Sequence, residues 1–195
     1  MKIFKLSLAT LLVVLIAASV LLYKGDLSTE YVDNKYSNAA SAFLTMENGA
    51  RVHYRDQGAK TNPAIVLVHG SNASLHTWEP WVERLSTNYR VVSLDLPAHG
   101  LTGATPDHDY SSQAQINTVH AIVSHLGIDS FVLGGNSMGG GVTWRYTLQH
   151  PNDVMAMLLV NSSGLPQFRR QLIDEEAPSR GQEQTQKNAT PLIFT

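Results

Sequence analysis

Four runs that are wholly or largely apolar constrain this chain most: Ala64-Ile65-Val66-Leu67-Val68, Tyr89 to Leu96 (YRVVSLDL), Phe131-Val132-Leu133 and Val154 to Val160 (VMAMLLV). A strand apolar at successive positions must be covered on both faces, the condition of a strand inside a parallel sheet flanked by helices. Helical patterns fill the gaps. Pro80 suits a first helical turn, with Trp81, Val82 and Leu85 behind it. Ile116, Val119, Val123 and Leu126 recur at helical spacing before Gly127, which is placed as a C-terminal stop. Met138 to His150 carries Met138, Val142, Tyr146 and Leu148 ahead of Pro151. Upstream, Phe43-Leu44-Thr45-Met46 and Arg51-Val52-His53-Tyr54 flank Glu47-Asn48-Gly49-Ala50, an Asn-Gly turn and therefore a hairpin. A hairpin followed by alternating strands and helices predicts an α/β fold, a mostly parallel sheet with helices on both faces.

The chain has 195 residues, 43% hydrophobic and 15% charged, which excludes a disordered or coiled-coil chain. Fourteen Lys+Arg against 16 Asp+Glu leave a net charge of -2, without the basic footprint that nucleic acid requires. With no cysteine there can be no disulfide, thiolate zinc site or cysteine nucleophile. The apolar excess is concentrated at the N-terminus. Lys5 and Lys24 bracket 18 uncharged residues, Leu6 to Tyr23, which as a helix would cover about 27 Å of a hydrocarbon layer about 30 Å thick. Lys2 and Lys5 precede the run and Asp26 closely follows Lys24, so the charge bias predicts a single-pass anchor with its N-terminus in the cytosol and the domain outside. The alternative is a secreted protein whose signal is cleaved after Ala17, Ala18 or Ser19; Val20-Leu21-Leu22, continuing the apolar run beyond them, argue for the anchor. The expected organisation is therefore an anchor or signal at 1–24, a polar tether at 25–41, an α/β core at 42–164 and, at 165–195, a Gln-, Arg- and Glu-rich segment of different character.

The chemistry is carried by Gly135-Asn136-Ser137-Met138-Gly139, followed by Gly140 and Gly141. The motif lies between a buried strand and a helix, the setting in which a serine on a tight turn projects its hydroxyl. Its glycines allow the backbone to approach closely, and the helix N-terminus favours negative charge beside Ser137. Acyl transfer also needs donors for the oxyanion: the Met138 backbone N–H is one, and Ser71 or Asn72, in the loop after His69-Gly70, is placed to supply the second. None of His53, His76, His108, His120 and His125 shows the i, i+4 His/Glu pairing of a zinc protease, so no metal site and no cofactor are expected.

His69-Gly70-Ser71, Asp95-Leu96-Pro97-Ala98-His99-Gly100 and Gly135-Asn136-Ser137-Met138-Gly139-Gly140, in this order and spacing over residues 43–164, resemble the α/β-hydrolase superfamily. The resemblance implies a catalytic serine at Ser137, an oxyanion hole from the backbone N–H groups of Ser71 and Met138, a structural His69 and turn-fixing Asp95, and a cap beginning at 165–195. It implies a serine hydrolase acting on an ester, thioester or similar acyl bond of a small-molecule substrate. The full elbow string is most similar to that of hydrolases cleaving carbon–carbon bonds in ring-fission products, a first alternative; a non-catalytic binding or vestigial module is the second. Serine at position 137 departs from the dehalogenases and epoxide hydrolases of this fold, which use aspartate there. In this fold an acid and then a histidine follow the nucleophile. Only His150 follows Ser137, about 20 Å away along the same helix, and Asn161 occupies a strand end where some relatives carry the acid. The triad acid and histidine are expected beyond Thr195, leaving the 195 residues inactive alone.

Overall fold

The computed structural model describes residues 2–23 and 25–164, with side chains from residue 10 onward. The expected cap segment at 165–195 lies outside the described residues. The chain divides into two units, Met1–Tyr36 and Ser37–Thr195.

The first unit holds helix α1 (Lys2–Leu22) and the short helix α2 (Thr29–Tyr36). Among the described residues no helix is long and apolar enough to cross a membrane. α2 lies inside the stretch read from sequence as a polar tether without regular period. Its start is capped by Ser28, whose hydroxyl oxygen accepts the Tyr31 N–H at 3.2 Å. No residue of α2 is buried.

The second unit is a six-stranded sheet in the order β1-β2-β4-β3-β5-β6. The hairpin strands β1 (Ser41–Thr45) and β2 (Arg51–Gln57) pair antiparallel, with Gly49 supplying the positive φ of their turn. β2 pairs antiparallel with β4 (Arg90–Leu94); from there β4, β3 (Ala64–Val68), β5 (Phe131–Asn136) and β6 (Val154–Val160) run parallel. Each parallel connection carries a helix: α3 (Glu79–Leu85) after a 3₁₀ turn at Leu75–Trp78, α4 (Ser112–His125) and α5 (Met138–Gln149). Pro80 is the second residue of α3, where its missing N–H costs nothing. Ser111 caps α4 through the Ala114 N–H, and Gly127, at φ 61°, follows its C-terminus.

Both faces of β3 are covered, and its residues alternate between two cores. Ala64, Val66 and Val68 join Ile116, Val119, Ile122 and Val142 on the side of α4 and α5; Ile65 and Leu67 join Trp78 and Val82 on the side of α3. β6 departs from the sequence reading. Its run of apolar residues predicted burial, yet Met155 is 57% and Met157 47% exposed, because β6 is the last strand in the order and the described residues leave one of its faces uncovered.

The connections reverse direction around β3. From β3 the chain crosses to β4 on one side, then returns over β3 to β5 on the other. Such a reversal leaves a crevice beyond the C-terminal ends of β3 and β5, where neither connecting segment covers the sheet. His69-Gly70-Ser71 leaves β3 there, and Ser137 leaves β5.

Candidate active site

Ser137 is the one residue between β5 and α5, with φ 50° and ψ −113°, outside the regions open to an L-residue without strain. Its conformation is fixed by backbone hydrogen bonds. The Ser137 N–H donates to the Val160 carbonyl at 2.9 Å, while its carbonyl accepts the Gly141 N–H at 3.1 Å, the Ser163 N–H at 3.0 Å and the Ser163 hydroxyl at 3.1 Å. Trp144 Nε1 holds the Ser163 carbonyl in turn, at 3.1 Å. The segment after β6 thus clamps the elbow, a role for Ser163 that no motif marked; its only trace is its place just after the β6 run.

The flanking glycines are steric requirements. A Cβ on Gly135 would overlap the Gly139 carbonyl and crowd Thr143 Oγ1, and one on Gly139 would overlap the Val68 and His69 carbonyls. Strand, elbow and helix pack backbone to backbone here, which only glycine permits. A Cβ on Gly70 would stand 3.3 Å from Ser137 Cβ, so the loop after β3 runs against the elbow.

Ser71 and Met138 touch through their side chains. Met138 is the first residue of α5, and Ser71 reaches its sulfur through a hydroxyl contact of 3.7 Å. Gln115 on α4 donates to the same sulfur at 3.6 Å, so Met138 is held from two elements while its N–H lies at the helix start. Asn72, the other candidate, has a left-handed backbone at φ 53°.

His69 and Asp95 support the loops. His69 is wholly buried; its Nδ1 donates to the Gly70 carbonyl at 2.7 Å and its Nε2 accepts the Leu96 N–H at 3.1 Å, which fixes a neutral tautomer. Burial lowers its pKa, more than the Gly70 carbonyl and Asp95 raise it. With both nitrogens engaged it has no free position for a serine proton. Asp95 accepts from His53 Nδ1 at 2.7 Å and from the N–H groups of Leu75 at 2.7 Å and Leu101 at 2.9 Å. Burial alone would raise its pKa, but these hydrogen bonds outweigh it and hold the carboxyl below the usual range.

A Ser–His–Asp line does exist, away from the elbow. His53 Nε2 lies 2.9 Å from Ser41 Oγ, and His53 Nδ1 meets Asp95. Ser41 Oγ also accepts the Asn38 N–H at 3.1 Å and Arg55 Nε at 3.2 Å, which occupies the lone pairs an attack would use. His53 and Asp95 are 0% exposed, so this line is a buried polar network joining β1, β2 and the residue that follows β4. At Ser137, by contrast, no described residue hydrogen-bonds the hydroxyl, and His150 sits at the opposite end of α5 as its C-cap. A cavity of about 570 Å³ lies elsewhere, between the hairpin turn at Glu47-Asn48 and α4, and does not include Ser137.

A monoacylglycerol lipase of Xenopus laevis, abhd6-A, is 36% identical over 115 residues, covering 57% of this chain and 34% of its own. Human epoxide hydrolase 4 is 32% identical over 117 residues, covering 59% of this chain and 32% of its own. The chain therefore spans about a third of the length of these curated relatives. Among solved structures, a membrane phospholipase A described as a bacterial virulence factor superposes with a TM-score of 0.61 at 29% identity, over 85% of this chain and 53% of that one. The family model of the alpha/beta hydrolase fold matches residues 63–191, and the chain, with its mostly parallel sheet and its strand-turn-helix at Ser137, belongs to that family.

Proposed function

We propose that the chain is the nucleophile-bearing part of a serine hydrolase that cleaves an ester, thioester or similar acyl bond of a small-molecule substrate. One observation carries this reading: Ser137 is held at a strained φ of 50° between β5 and α5, at the crevice where the strand connections reverse. In the reaction Ser137 Oγ attacks the acyl carbon, and the proton passes to a histidine supplied from outside the described residues. The carbonyl oxygen gains the negative charge and is met by the Ser71 and Met138 N–H groups and the start of α5. Collapse expels the alcohol or thiol, and water then releases the acyl group from Ser137. The human relative is named an epoxide hydrolase, but the resemblance places a carboxylate at the nucleophile position of such enzymes, and a serine with oxyanion donors fits a carbonyl substrate instead.

Protein expressed from the native gene should hydrolyse p-nitrophenyl butyrate and lose at least about 10³-fold in kcat/KM on Ser137→Ala. Turnover unaffected by that substitution would remove Ser137 from the mechanism. The 195-residue chain alone should show no turnover that depends on Ser137; any would mean that the base lies within it.

The uncharged run Leu6–Tyr23 supports a single-pass anchor that leaves the hydrolase domain outside the cytosol. Alkaline phosphatase fused after Ser41 should then be active in cells; activity of a cytosol-only reporter at that junction would reverse the orientation.

A further inference from the structure

We propose that His120, His150 and Asp153 form a binding site for a zinc-class divalent cation, which clips α4 to the turn between α5 and β6. His120 is thirty residues from His150 in the chain, and Asp153 is three beyond it, yet one ligand atom from each lies within 4.8 Å of the others. His120 is an exposed residue on α4, His150 is the C-cap of α5, and Asp153 follows in the turn that leads into β6. The His120 and His150 rings stack with centroids 4.5 Å apart and 14° between planes, and His150 Nδ1 lies 3.8 Å from Asp153 Oδ2.

The carboxylate is oriented from below. Tyr146, wholly buried on α5, donates its hydroxyl to Asp153 Oδ2 at 3.1 Å and lies 3.3 Å from His120 Nδ1. A fixed hydrogen bond behind a ligating carboxylate is a usual means of orienting it towards a metal. The backbone of the turn is also set, with the Asp153 N–H donating to the His150 carbonyl at 3.2 Å.

Two imidazoles and one carboxylate suit zinc, nickel or copper rather than magnesium or calcium, which favour all-oxygen shells. Bonds of about 2.0–2.1 Å in a tetrahedral site set donors about 3.4 Å apart, so no pair of ligand atoms need close by more than about 1.4 Å. Rotation of the exposed His120 and the half-exposed His150 supplies that movement. Three protein ligands leave a fourth position for water. The cluster is at the far end of α5 from Ser137, about 20 Å away for the thirteen residues to His150, so its role is to fix the helix rather than to act on substrate. Gln113 and Gln149 already bridge the same two helices through a hydrogen bond of 3.0 Å. No helical spacing marks the site in the sequence, because His120 comes from α4 and the other two ligands from the C-cap of α5 and the turn after it.

Calorimetric titration of the untagged chain with zinc chloride tests the proposal. One zinc per chain and a raised melting temperature are expected, with no response to magnesium chloride. Affinity should fall at least tenfold in each of His120→Ala and Asp153→Asn, while His125→Ala, on the same helix but outside the cluster, should bind as the parent does. Zinc binding unchanged in His120→Ala and Asp153→Asn, or no binding to the parent, would overturn the site. Should Asp153→Asn unfold, the exposed His120→Ala decides alone, and loss of the visible bands of the cobalt-substituted protein reports the same ligand.

Discussion

Ala98 occupies a backbone conformation that its side chain resists. It sits at φ 66° in the loop after β4, exposed, with its N–H on the Gly103 carbonyl at 2.7 Å. A left-handed backbone costs an L-residue roughly 1–2 kcal/mol, whereas glycine gives back about 0.5–1 kcal/mol in unfolded-chain entropy. Ala98→Gly should therefore stabilise the fold by about 0.5–1 kcal/mol, read as a higher urea midpoint; a lower midpoint would mean that the loop conformation is not strained. At Ser137 an equivalent strain is retained at the proposed nucleophile, where the Ser163 and Val160 hydrogen bonds enforce it. The two residues differ in legibility. Gly-x-Ser-x-Gly advertised the elbow, but nothing local to Pro97-Ala98-His99-Gly100 marked Ala98 as left-handed. Ser163 carried no such signal: its N–H and hydroxyl both donate to the Ser137 carbonyl, and a single serine after an apolar run belongs to no motif.

At the scale of elements, α5 is set by a close backbone approach to β3. Its Gly139 packs against the carbonyls at the end of β3, and those backbone atoms cannot turn aside as a flexible side chain would. Gly139→Ala should cost about 1–3 kcal/mol and displace the elbow. Gly127→Ala is the comparison: space around it is open, so only its φ of 61° is penalised, at about 1 kcal/mol. Equal urea midpoints for the two variants would show that the tight approach of α5 to β3 is absent. Strand positions followed from apolar runs because β3 is buried on both faces, and the run Ala64–Val68 is the strand itself. β6 has an equally apolar run that the described residues cover only in part, and α2 is a polar helix that buries nothing and so has no period to detect.

Across the whole molecule, the reversal of connections around β3 brings the loop at Ser71 and the elbow at Ser137 to one crevice. That convergence was legible only through three motifs taken together, because local patterns carry no strand order. The buried network beneath the crevice also sets how the fold responds to pH. His69 has a lowered pKa, so below its ordinary value of 6.5 the unfolded chain takes up a proton that the native state refuses, and stability falls as the solution is acidified. Asp95 and Asp56 have lowered pKa values too; burial opposes this in both, but hydrogen bonds prevail, from His53, Leu75 and Leu101 for Asp95 and from Arg90 and Lys60 for Asp56. Their contribution is complete above 3.8 and is lost as pH falls through their native values. Tyr54 and Tyr146 act in the opposite range: burial raises both, so their contribution is present below pH 10 and is lost above it. Urea midpoints should thus be highest between about pH 7 and 10, decline first below 6.5, fall again below 3.8 and fall on the alkaline side above 10. A midpoint that held level from pH 7 to 5 would contradict the neutral, doubly engaged state assigned to His69.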